Sequence, residues 1–160
     1  MKKTFSSTMI ALLLLVVLAS VSFAAPAEKE FVLKGSLEAS QTVQVVFPTA
    51  FVNLTGTGVA SHVGRFTFQL QAELNIPTST GTGSSTLIAA DGSTLFMEGS
   101  GHGTPTDVPG VVLVVETFTI TGGTGRFAGA SGNIIVERVL NQATGVSSGT
   151  ISGIIILPRK

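Results

Sequence analysis

Ile120-Thr121-Gly122-Gly123-Thr124-Gly125-Arg126-Phe127-Ala128-Gly129-Ala130-Ser131-Gly132 places five glycines between the Val-rich run at Val111–Val115 and the apolar run Ile134-Ile135-Val136. Glycine has no Cβ, so it accepts positive φ and lets backbones approach closely. The stretch therefore reads as a demanding turn joining two strands, with Gly122, Gly123, Gly125, Phe127 and Gly132 as its structural residues. A phosphate-binding reading fails on the neighbours. A P-loop needs Gly-Lys-Ser/Thr and a following helix, and a dinucleotide site needs a βαβ unit. Here Arg-Phe-Ala-Gly follows, and the next element reads as a strand.

Working outward, the clearest pattern is His62 to Leu74. Phe66, Phe68, Leu70, Ala72 and Leu74 fall on one parity, against Arg65, Thr67, Gln69, Gln71 and Glu73 on the other. Strict period-2 alternation over this length specifies a long strand with one buried face. Before it, Ala24–Lys29 reads as a linker and Phe31–Ala39 as a first strand. Val43–Phe47 reads as a short apolar piece stopped by Pro48, and Phe51–Ala60 as a second strand. After it, Pro77–Ser84 reads as a Thr/Ser/Gly loop. Ser85–Ala90 and Ser93–Ser100 flank Asp91-Gly92, a type I′ hairpin signal. Gly101–Gly110 reads as a second loop. Val111–Thr121, Gly132–Leu140 and Gly145–Leu157 complete the chain, with Thr144-Gly145 near the last turn. About eight strands at meander spacing, with no convincing amphipathic helix, specify an all-β fold. An eight-stranded antiparallel barrel is the first expectation and a β-sandwich the alternative. Closure would remove edges in a chain rich in Val, Ile and Thr and low in charge.

Gly122-Gly123-Thr124-Gly125-Arg126-Phe127, followed by Ala130-x-Gly132, resembles the Gly-Gly-Thr-Gly-x-Phe segment of plant dirigent proteins. That family shares an eight-stranded barrel with allene oxide cyclase. Val63–Phe66, Ala90–Gly92 and the same turn are also similar to a set of small secreted bacterial proteins without assigned activity. In the dirigent family the motif is a structural turn without catalytic residues. The acidic and basic residues of the dirigent pocket lie elsewhere, and no motif here places them.

The N-terminus reads as an address. Lys2 and Lys3 precede the apolar run Met9–Leu18, and small residues follow through Ala27. This is the layout of a secretory signal peptide over residues 1–25, with a cut after Ala24, Ala25 or Ala27. The run is short for a transmembrane helix. The expected mature chain, 26–160, is then a single domain without a membrane span, in the periplasm or outside the cell. It carries seven Lys and Arg against nine Asp and Glu, a net charge of −2. That leaves no basic excess for nucleic acid or anionic lipid. With no cysteine there are no disulfides. With no Tyr or Trp, carbohydrate stacking lacks its usual residues.

Few chemistries have their parts. His62 and His102 lie far apart without acidic partners at ligand spacing, so no metal site and no cofactor is expected, and both read as surface histidines. No Gly-x-Ser-x-Gly elbow is present. Parity singles out three charges on strand faces that also carry apolar residues: Glu98 with Phe96, Glu116 with Val114 and Phe118, and Arg138 with Ile134, Val136 and Leu140. A buried charge is costly unless paired. If the barrel interior is a pocket, Glu98, Glu116 and Arg138 are its polar groups. Arg65 and Arg126, each before a Phe, read as arginines that lay their stems on apolar surface and keep their heads in water. Three function classes fit: a non-catalytic exported barrel binding a small apolar ligand or a partner, an isomerase-, cyclase- or dirigent-like protein acting on a reactive small molecule, and a fully packed structural or surface protein. A homo-oligomer is compatible with each.

Overall fold

The computed structural model describes residues 28–159, so the expected signal peptide lies outside the described residues. Eight strands form a closed antiparallel barrel in chain order, which settles barrel over sandwich. They are β1 (Glu28–Val46), β2 (Thr49–Ala60), β3 (Gly64–Asn75), β4 (Thr80–Ala89), β5 (Thr94–Pro105), β6 (Val111–Gly123), β7 (Ser131–Asn141) and β8 (Val146–Pro158). β1 closes the ring by pairing with β8 from Glu28↔Pro158 to Ser40↔Val146. No helix among the described residues is long and apolar enough to cross a membrane.

Three segments differ from the sequence reading. Val43–Val46 is no separate piece; it continues β1, paired with β2 up to Val46↔Thr49. The tract from Thr80 to Ser84 is the first half of β4, not loop, and Gly101–Pro105 is the second half of β5. Gly, Ser and Thr resemble loop composition because glycine weakens an isolated strand. Here pairing on both sides holds them: Gly81 pairs with Leu74 and Gly101, and Gly83 with Ala72 and Gly99. At Asp91-Gly92 the Gly92 amide bonds the Ala89 carbonyl and the Ala89 amide bonds the Ser93 carbonyl. Only Gly92 has positive φ, at 83°. This is a three-residue loop with a glycine bulge rather than a type I′ turn, which requires positive φ at two positions.

Antiparallel order puts alternate turns at the same end. Turns 61–63, 90–93 and 124–130 share one end with Glu28 of β1 and Pro158 of β8, and that end is packed shut. Leu33, Leu95, Ile134 and Ile155 are fully buried there, with Phe127, Val63 and Ala130 as the plug. An extra residue, Thr121, sits between the Phe96↔Gly122 and Met97↔Ile120 pairs. Such a bulge bends its strand, here just before the glycine-rich turn. The chain then makes one 3₁₀ turn, Gly125–Phe127, which drops the Phe127 ring into the barrel.

Arg126 ties the three turns of this end together. Its Nη2 donates to the Val63 carbonyl at 2.6 Å, its amide donates to Ser93 Oγ at 3.1 Å, and its Nε lies 3.1 Å from Asp91 Oδ2. Its guanidinium also covers the Phe127 ring at 4.7 Å. The head is therefore bonded while the side chain stays 43% exposed. Gly125, at φ +60°, lies against Ser93, so a side chain there would add a collision to a backbone conformation costly for L-residues. At Gly123 a Cβ would lie 2.6 Å from the Phe127 carbonyl oxygen.

Two outcomes follow for the closed end. Gly125→Ala should lower stability by roughly 2–3 kcal/mol, while Gly92→Ala, also at positive φ but in open space, costs only about 1 kcal/mol; urea unfolding measures both, and equal losses would show that the Ser93 contact adds nothing. The Asp91 carboxyl is held below its ordinary value of 3.8, first by the Ser93 amide and then by the Ser93 hydroxyl and Arg126, against opposing desolvation. Its stabilisation is therefore present above that ordinary value and lost as pH falls through the lowered one. Asp91→Asn should flatten the acid limb of melting temperature against pH below Asp91's ordinary value of 3.8.

Candidate functional site

The other half of the barrel is not filled. A cavity of about 460 Å³ opens among the turns at 76–79, 106–110 and 142–145. Its volume lies in the range of small-molecule sites, about 300–1,000 Å³. Alternation decides its walls. Val52 of β2, Leu70 and Leu74 of β3, Val112 and Val114 of β6 and Leu140 of β7 supply apolar side chains. On β4 and β5 the inward positions are Gly81, Gly83, Gly99, Gly101 and Gly103. The cross-strand pairs Gly81↔Gly101 and Gly83↔Gly99 leave a patch of bare sheet, and the missing side chains are the space.

The floor is polar. Arg138 of β7 points inward with its side chain 5% exposed, and Glu116 of β6 with 12%. Arg138 Nε and Nη2 each donate to one Glu116 oxygen at 3.0 Å. Nη1 donates to Gln41 Oε1 at 3.2 Å and to Ser147 Oγ at 3.3 Å. A bidentate arginine–carboxylate pair is among the stronger charge-assisted contacts. It needs such satisfaction, because desolvating two charges costs several kcal/mol per ion. No side-chain polar atom buried in the described residues lacks a partner. The floor is thus polar and net neutral. Below it a void of only about 30 Å³ remains among Leu37, Phe66, Leu87, Met97 and Ile151, so a fully packed interior describes the closed half alone.

The structure brings together two of the three charges singled out by parity. Glu116 and Arg138 meet; Glu98 is exposed on the outer face of β5, opposite Ser84 and Thr119. The reason is register: inward positions of β5 are odd-numbered, so Glu98 and the half-exposed Phe96 face out together. Gln41 and Ser147 were not singled out. Their signal was present, since Gln41 shares the parity of Leu33, Leu37 and Ala39, and Ser147 that of Ile151 and Ile155. His102 is exposed on β5 rather than in a loop, and His62 sits in the β2–β3 turn at φ 62°. Among the described residues no group of three or more His, Asp or Glu is placed to hold a metal ion.

No family model matches this sequence, and no curated protein does. The fold is similar to that in a solved structure of a pterocarpan synthase dirigent protein, with a TM-score of 0.60 at 15% identity, covering 85% of this chain and 94% of the other. At that identity the likeness concerns fold, and fold does not carry chemistry. The closed eight-stranded antiparallel barrel of this chain is a dirigent-like barrel.

Proposed function

We propose that this protein is an exported, non-catalytic barrel that holds one small, largely apolar and uncharged molecule in its open half. The cavity carries the proposal: apolar walls, a glycine-cleared side, and a floor whose charges cancel. An anionic ligand would have to displace Glu116 from Arg138, and a cationic one would have to compete with Arg138 for Glu116. A neutral ligand disturbs neither and can still accept or donate one hydrogen bond at the floor. Catalysis by acid or base needs a titratable group free to exchange a proton with substrate. Both Glu116 oxygens already accept from Arg138.

A second reading, that the barrel orients a reactive intermediate as a dirigent-like or cyclase-like protein, draws on the fold match and on Glu116 and Arg138 lining the cavity. It differs in requiring that pair for chemistry. Under the binding reading, charge at the floor can be removed without loss of ligand.

Native mass spectrometry of protein isolated from its own secretion should show a co-purified small molecule and the mass of the cleaved chain. The neutral dye N-phenyl-1-naphthylamine should bind with a fluorescence rise, and the anionic dye 8-anilinonaphthalene-1-sulfonate at least tenfold more weakly, about 1.4 kcal/mol. Ala72→Phe, on the β3 wall beside Gly83, should weaken the neutral dye by tenfold or more while the protein stays folded. Unchanged dye affinity in that variant would sink the binding proposal.

The ion pair gives a separate stability test. Arg138→Met leaves Glu116 buried without its partner and should cost roughly 3 kcal/mol. The double variant Glu116→Leu/Arg138→Met should recover most of that loss and keep the neutral dye. Loss of dye in a folded double variant would favour the second reading.

A further inference from the structure

Barrel closure leaves one stretch of backbone unpaired on one side. β1 pairs with β2 as far as Val46↔Thr49, but with β8 only to Ser40↔Val146. The Gln41 amide still reaches the Gly145 carbonyl. In an antiparallel strand, alternate residues direct both backbone groups to the same side. Val43 and Val45 therefore direct their amides and carbonyls the same way as Gln41, past the β7–β8 turn. No described residue's backbone pairs with them there. Val43, Val45, Val46 and Phe47 are all exposed, Phe47 by 75%.

Native edges are ordinarily protected by charges, bulges or proline within the strand. Thr42-Val43-Gln44-Val45-Val46 has none of these. No Asp, Glu, Lys or Arg occurs anywhere from Ala39 to Gly64, a span that includes the whole of β2. The edge is also self-complementary. Antiparallel pairing about Gln44 sets Val43 against Val45 of a second copy and Val45 against Val43. Those are the two residues with free edge groups, so four main-chain hydrogen bonds form. Gln44 then faces Gln44 across the two-fold axis as a non-hydrogen-bonded pair, and Thr42 faces Val46. Like charges meet nowhere.

We propose that this edge pairs with the same edge of a second copy, giving a two-fold symmetric dimer through β1. A second copy fits better than a flexible peptide because its strand is already formed and loses little conformational freedom on pairing. The contact is short against the ~800 Å² per partner of stable complexes, so the dimer is weak and reversible.

The absence of cysteine makes the register directly readable. A non-hydrogen-bonded pair places Cα atoms about 4.5 Å apart, within disulfide reach, whereas residues 42 and 46 each lie far from their own copies. In the full chain as secreted, Gln44→Cys should crosslink to a covalent dimer under mild oxidation, and Thr42→Cys or Val46→Cys at least tenfold less. Sedimentation of the unmodified protein should show a dimer fraction that rises with concentration. Val45→Lys, and separately Val45→Pro, should lower that fraction at least tenfold without altering the melting temperature by more than a few degrees. A chain that stays monomeric at millimolar concentration, as it would with its own N-terminal segment covering the edge, overturns the proposal. So does equal crosslinking at 42, 44 and 46, or a dimer that survives both Val45 variants.

Discussion

Closing eight antiparallel strands into one ring obliges every second residue to point inward, and the interior is only as full as those residues make it. In this barrel the inward positions change character along the axis. Toward the Phe127 plug they include Leu, Ile, Phe and Met, the Phe66 and Phe68 rings cover the inward glycines Gly58 and Gly56, and the space is filled. Toward the other end two neighbouring strands carry glycine at five inward positions, and the space stays empty. The Arg138–Glu116 pair lies at the boundary, where two charged groups can satisfy each other and still border a cavity.

The two ends are held by different means. The closed end relies on the 3₁₀ turn that buries Phe127 and on Arg126, which bonds two separate turns through Val63, Ser93 and Asp91. Among the described residues no single side chain cross-ties the turns of the open end, and apolar residues such as Val108 stand exposed in it. One end is plugged by packed side chains and the other opens into the cavity. The glycine-rich turn therefore shapes the cavity indirectly, by sealing the opposite half of the barrel.

Much of the architecture is legible in the sequence. Phe66 through Leu74 gave both the strand and its buried face, and the alternation of β7 pointed Arg138 inward correctly. Legibility failed where amino-acid composition and strand position disagree. Thr80 to Ser84 has loop composition, yet it is strand because β3 and β5 flank it and hydrogen-bond it. A period-2 recurrence of glycine at 81 and 83, and at 99, 101 and 103, was the available signal. Glu98 failed for a related reason. Its strand carries apolar residues on both faces, Leu95 and Met97 inward and Phe96 outward, so parity could not tell which face was the core.

What the sequence determined unaided is what depends on local order: strand rhythm, the all-β class, the glycine turn, and the lack of parts for thiol chemistry. What only the tertiary structure decided is what depends on which strands become neighbours. Glu116 and Arg138 are 22 residues apart, and Gln41 and Arg138 are 97 apart. Their meeting is fixed by register around a closed ring, because a shift of one residue would turn each side chain to the opposite face. The cavity is decided the same way, since glycine leaves a void only where the facing strands also fail to fill it.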